Sequence, residues 1–253
     1  MKKLLCALLL WTGSFLSIQA EPPAPIPLTS ITEADLKEFH ESPPEVKKLI
    51  REALRLATLK LKYLYGSADP ANGGVDCSGT IHYLLKEVGL TGVPRDASGF
   101  YEWSWKQDRF HSVISTDPAS FEFKHLRPGD LLFWIGTYDV KRDPPISHVM
   151  LYLGTHAVTH ERLMMGASSS QSFKGTPHEA VTVSTWNLAR QGQPGARFIG
   201  YGSIPGLVAQ PADDSKAPRP ATVPPSEDSF KIKDLSIHPP ILFPEFKQSK
   251  EKE

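Results

Sequence analysis

Cys77 is the residue of this sequence best placed for covalent chemistry, and His148 is best placed to assist it. A cysteine nucleophile needs a base that takes its proton and later returns it to a departing amine. Imidazole suits that task because its pKa lies near working pH. Cys77 stands in Gly73-Gly74-Val75-Asp76-Cys77-Ser78-Gly79, just ahead of Ile81, Leu84, Leu85 and Val88, which are spaced as one apolar stripe of a helix. Asp76 and Ser78 are residue types that cap helix starts, and Gly89 stands where a helix C-cap belongs. The cysteine is therefore expected at a helix N-terminus, where free N–H groups and the positive dipole end favour thiolate over thiol. His148 opens an alternating run, with Val149, Leu151 and Leu153 on one face and Met150 and Tyr152 beside it on the other. It follows a loop directly, so its ring can project over a cleft edge.

A third polar group normally orients such an imidazole, and His156 and His160 both follow within hairpin distance. Their spacing also fits two metal ligands on one helical face. Neither a helix pattern nor an intervening acid accompanies them, so no metal or other cofactor is expected. Trp103, Trp105, Trp134 and the tyrosines are candidates either for lining a carbohydrate or peptide cleft or for core and rim packing.

The elements that must hold these residues follow from period and punctuation. Thr32 with Asp35 three residues on suggests a short helix over 32–41, and Ser42-Pro43-Pro44 starts a longer one through about Leu61. Its apolar face is Val46, Leu49, Ile50, Ala53, Leu54, Ala57 and Leu61. Residues 106–125 have no strong period and read as a surface insertion. Strands are expected at 131–135, 148–154, 163–168, 181–186 and 197–203. Helices first and sequential antiparallel strands after them give an α+β fold.

The 28 Lys and Arg residues balance 28 Asp and Glu, so the chain of 253 residues has no net charge and no nucleic-acid partner is expected. Residues 1–20 read as a secretory signal peptide, with Lys2 and Lys3, an apolar run over 4–18 and Ala20 at the cleavage point. Thr12, Gly13 and Ser14 interrupt that run, which argues against an uncleaved anchor. The expected location is secreted, periplasmic or cell-wall associated, with no stable membrane insertion after cleavage. Processing would leave Cys77 with no internal disulfide partner. The expected organisation is signal peptide 1–20, linker and short helix 21–44, domain 45–203 and a Pro-rich, disordered or extended tail 204–253.

Three motifs then come together. Asp76-Cys77-Ser78-Gly79, Leu126-Arg127-Pro128-Gly129-Asp130-Leu131 and His148-Val149-Met150-Leu151-Tyr152-Leu153-Gly154 resemble, in order and context, the NlpC family of cell-wall cysteine peptidases. Tyr63-Leu64-Tyr65-Gly66 is similar to that family's tyrosine-glycine segment, and the resemblance covers about residues 45–203. It implies a papain-like α+β fold and hydrolysis of peptidoglycan stem peptides, next to a diamino acid and after D-glutamate. It also implies Cys77 as nucleophile, His148 as base, and Tyr63, Asp76, Ser78 and Arg95 bordering the substrate, with Ser78 near the oxyanion. The implied partner is the stem peptide, and the protein is expected to act as a monomer.

The family places a His, Asn or Gln on the strand after that of His148. Counting a dozen residues reaches His160. Matching strand hydrophobicity instead pairs Val149 with Met165 and Leu151 with Leu163, which sets Gly166 opposite His148. Alternatives within the same fold are a catalytically weak or inactive wall-binding protein, or an amidase or acyltransferase using the same dyad.

Overall fold

A computed structural model of the chain describes residues 31–168, 172–173, 176–177, 181–186 and 195–208. The expected signal peptide, most of the expected linker and nearly all of the expected tail lie outside the described residues. These described residues all fall within the unit Met1–Ala209; Gln210–Glu253 form a second unit.

Helix α1 spans Pro44–Ala57, with proline in its first turn where a missing N–H is harmless. It buries Val46, Leu49, Ile50, Ala53 and Leu56. The helix stops short of Leu61, because the Thr58 hydroxyl donates to the Arg55 carbonyl at 2.7 Å and satisfies part of the C-terminus. Ahead of it, residues 32–41 hold a single 3-10 turn, Glu33–Asp35, in place of the short helix expected. The Thr32 N–H and hydroxyl both donate to the Asp35 carboxylate at 2.8 Å, but Leu36 is extended and bridges to His156.

Strand β1 (Lys62–Tyr63) runs parallel to β2 (Gly74–Val75), a pairing that delivers the chain to Asp76. Glycine is required at 74, since any side chain there would collide with the Lys62 carbonyl. Helix α2 follows as Cys77–Glu87. It closes in a Schellman turn: Gly89 at φ +99° lets its own N–H reach Lys86 and that of Leu90 reach Leu85, both at 2.9 Å. Helix α3, Ala97–Trp105, was not anticipated; Asp96 caps it by accepting from the Gly99 N–H at 3.0 Å.

The sheet has six antiparallel strands in the order β3-β10-β4-β5-β6-β9. They are β3 (Phe110–Ser112), β4 (Leu131–Ile135), β5 (Ile146–Thr155), β6 (Arg162–Ala167), β9 (Val181–Thr185) and β10 (Arg197–Gly202), with a separate pair β7 (Ser172–Phe173) and β8 (Thr176–Pro177). Period-two alternation divides the core. Phe133, Val149, Leu151, Leu153 and Met165 pack with the helices, while Leu132, Trp134, Met150, Tyr152, Phe198 and Tyr201 form a second cluster on the other face.

That second face accounts for residues 106–125. They are not merely a surface insertion: they supply edge strand β3 and bury Val113 and Phe123 against Trp186, Phe198 and Tyr201. The core also passes both expected domain bounds, taking in Ile31, Leu36 and Phe39 before residue 45 and Ile204 and Leu207 after residue 203.

Candidate active site

Asp76 builds the start of α2. Its Oδ1 accepts from the Gly79 N–H at 2.6 Å and the Ser78 hydroxyl at 3.2 Å, and its Oδ2 accepts from the Gly66 N–H at 2.8 Å. Arg95 closes over both oxygens, with Nη1–Oδ1 at 3.1 Å and Nη2–Oδ2 at 3.0 Å, while Nη1 also donates to the Ser78 hydroxyl at 3.1 Å. This two-pronged pairing fixes the angle of the guanidinium as well as its distance. Asp76 and Ser78 are buried behind it, and Arg95, with 37% of its side chain exposed, is the member that meets solvent. Beside Arg95 lies a cavity of about 490 Å³, lined by Ser67, Asp69, Asn72, His82 and Lys86 among others.

Cys77 is 5% exposed and forms no disulfide. Helix α2 packs on β5, and the backbone N–H of Val149, the residue after His148, lies near enough to the Cys77 sulfur to favour its anion, so the nucleophile candidate stands beside the strand that carries the imidazole. The N–H groups of Ser78 and of Cys77 itself also favour the thiolate, as a helix N-terminus should. Burial outweighs them and, joined by the nearby Asp76 charge, pushes the thiol up to about 11. The sulfur at rest is therefore a thiol, against the expectation of an ionised one.

His148 sits at a kink. The β4–β5 register slips between Trp134 and Ile135, so that Trp134 pairs with His148 and Ile135 with Ile146. The imidazole lies against the Trp134 ring, centroids 5.6 Å apart. Part of the residue reaches solvent, yet its surroundings are apolar enough that burial pushes its pKa down to about 4. Between these values both groups are uncharged.

His160 does not join them. It occupies the turn between β5 and β6, at φ +59°, beyond the far end of the strand that begins near His148. A separation of seven strand residues, 148 to 155, corresponds to roughly 23 Å. His156 is buried in the same turn, its Nδ1 accepting from the N–H groups of Val158 and Thr159 at 3.2 and 3.1 Å. Neither histidine orients His148, and no hydrogen bond to its ring occurs among the described residues.

The register expected from hydrophobicity is also corrected. Leu151 pairs with Met165 and Tyr152 with Met164, after which a bulge at Gly154 shifts the ladder by one. Carried back, this pairing sets Gly166 opposite Met150, two residues along from His148 on the same face. A Cβ at Gly166 would stand 2.5 Å from the Met150 sulfur. Met150 thus fills the space that a side chain on β6 would need to reach the imidazole.

Two tyrosines, Tyr63 and Tyr138, stand near enough to Cys77 for its charge to act on their hydroxyls. The charges of Cys77, Tyr65 and Tyr138 all bear on the Tyr63 hydroxyl, and burial is the main cause raising the Tyr63 pKa. Tyr138, on the loop between β4 and β5, is not legible in the sequence, because a lone tyrosine in a polar loop carries no periodic signal.

The model of the NlpC/P60 family matches residues 60–186, half of the chain. The chain belongs to that family. Membership agrees with the α+β fold and antiparallel sheet described above, and it is consistent with a peptidoglycan hydrolase. Among solved structures, a protein described as similar to a lipoprotein of the NLP/P60 family from Staphylococcus aureus is 21% identical, with a TM-score of 0.43 over 64% of this chain and 42% of its own. The NlpC/p60 domain of the peptidoglycan hydrolase SagA is 19% identical, with a TM-score of 0.35 over 63% of this chain and 98% of its own. NlpC2 from Trichomonas vaginalis is 18% identical, with a TM-score of 0.31 over 64% and 50%. The chain thus spans less than half the length of the first of these. No curated protein matches the chain.

Proposed function

We propose that this NlpC/P60 chain is a secreted cysteine peptidase that hydrolyses peptidoglycan stem peptides at a D-glutamyl–diamino acid bond. The observation that carries the reading is the placement of Cys77 at the start of α2, packed against β5, where the N–H of the residue next to His148 acts on its sulfur. In the proposed reaction the Cys77 proton passes to the His148 imidazole as the sulfur attacks the scissile carbonyl, forming the C–S bond. Backbone N–H groups at the α2 N-terminus stabilise the oxyanion. The imidazolium then protonates the amine as the C–N bond breaks, and water, giving its proton to His148, hydrolyses the thioester. Arg95, held by Asp76 and Ser78, and Tyr63 border the peptide; the Ser78 hydroxyl is occupied by Asp76 and Arg95, so the backbone serves the oxyanion.

A second reading, a wall-binding protein of the same fold, is favoured by one observation: apolar Met150 stands where an orienting side chain would reach His148. Digestion of purified wall fragments, analysed by mass spectrometry beside Cys77→Ala, separates the two. The peptidase reading expects new stem-peptide fragments from the native chain and none from the variant. Identical product patterns from both would remove it.

A further inference from the structure

The loop between β4 and β5 is tied down at both ends of its run toward His148. The Thr137 hydroxyl and N–H meet the Ser147 hydroxyl at 2.7 and 3.0 Å, which locks the residue before Tyr138 to the residue before His148. Arg142 forms the second tie. Its Nε donates to the Ser98 hydroxyl at 2.8 Å and its Nη2 to the Ile146 carbonyl at 3.0 Å, with the Asp96 carboxylate 3.9 Å away. Ser98 in turn donates to the Pro144 carbonyl at 2.7 Å, so the first turn of α3 and the loop hold one another.

From that clamp Nη2 of Arg142 also donates to the Tyr138 hydroxyl at 3.3 Å. A phenol that accepts from a guanidinium keeps its own proton to give. Tyr138 is 39% exposed, and the Cys77 charge reaches its hydroxyl. The loop enters β5 two residues before His148, the group that would protonate the departing amine. Its tyrosine is thus carried by the loop that leads directly to the imidazole.

We propose that Tyr138 is a substrate-binding residue on the leaving-amine side, donating its hydroxyl hydrogen bond to a carbonyl or carboxylate oxygen of the peptide there, and that Arg142 is the positioning residue that aims it. The proposal rests on the peptidase reading for its substrate. It differs from the Arg95–Asp76–Ser78 network in element, loop and partner.

The test uses soluble stem peptides released from purified peptidoglycan, with the full chain, its Tyr138→Phe and Arg142→Met variants and the double variant. Tyr138→Phe keeps the ring and removes the donor. KM is expected to rise about fivefold to tenfold, the size of one neutral hydrogen bond, with kcat within about twofold. Arg142→Met should raise KM similarly, and the double variant should be no worse than the poorer single. An unchanged KM for Tyr138→Phe, while the native chain turns over, overturns the proposal and leaves the peptidase reading standing. A calorimetric titration of the same peptides into Cys77→Ala, with and without Tyr138→Phe, separates the remaining cases. Weaker binding on losing the hydroxyl supports the Tyr138 contact, and if the native chain also fails to turn the peptides over, the peptidase reading is removed while the contact stands. No turnover and no binding overturns both.

Discussion

At the scale of single residues, two effects compete at Cys77 and water decides between them. The N–H groups of Ser78, Cys77 and Val149 all favour the anion, but in a residue only 5% exposed the sulfur loses more by leaving solvent than three dipoles return. His148 is driven the other way by the same cause, to about 4. A raised thiol and a lowered imidazole make the neutral pair the resting form, so a proton must move within the complex before sulfur can attack. The sign gives a direct test. Because the folded thiol titrates near 11, alkylation of Cys77 by iodoacetamide should stay slow at neutral pH and climb with an inflection near pH 11. A free thiol inflects at about 8.5. An inflection below pH 7 would establish an ionised sulfur at rest.

At the scale of elements, β5 and β6 exchange bulk across the ladder. Met150 is large where Gly166 is bare, and each fits because of the other. Gly166→His alone should destabilise the fold by about 1–3 kcal/mol through overpacking, and Met150→Gly alone by about 2–5 kcal/mol through the void it leaves. Combined, they should cost at least ~1 kcal/mol less than the sum of the two in denaturant unfolding. Strict additivity would show that the two positions do not share a space. The same hairpin shows why sequence reading stopped where it did. The cap at Asp76, the Gly89 stop and the alternation along β5 are local signals and were legible. The bulge at Gly154, the kink before His148 and the fit of Met150 against Gly166 arise between strands, so hydrophobic matching slid the register by two residues. Helix α3 escaped because its aromatics, Phe100, Tyr101, Trp103 and Trp105, show no clean helical stripe. The protonation of Cys77 escaped because a helix N-terminus is visible in sequence and burial by distant strands is not.

At the scale of the molecule, the core is closed by residues at both margins of the family match, 60–186. Ile204 and Leu207, 2% and 5% exposed, pack into the helix-side cluster. Ending the chain after Ser203 should therefore lower unfolding stability by roughly 2–5 kcal/mol, the loss expected for removing buried aliphatic side chains. Ending it after residue 208 keeps both side chains and serves as the comparison. Equal midpoints for the two truncations in urea would show that this segment contributes nothing. The strand order carries a related consequence for how the protein is made. β10 lies between β3 and β4, although some sixty residues separate it from β4 in the chain. Until the ribosome has released Gly202, the Phe110 edge and the Leu131 strand have no ladder in common. The nascent polypeptide therefore carries β3 unpaired while β4, β5, β6 and β9 emerge, and β10, synthesised after them, is what joins that edge strand to the other four.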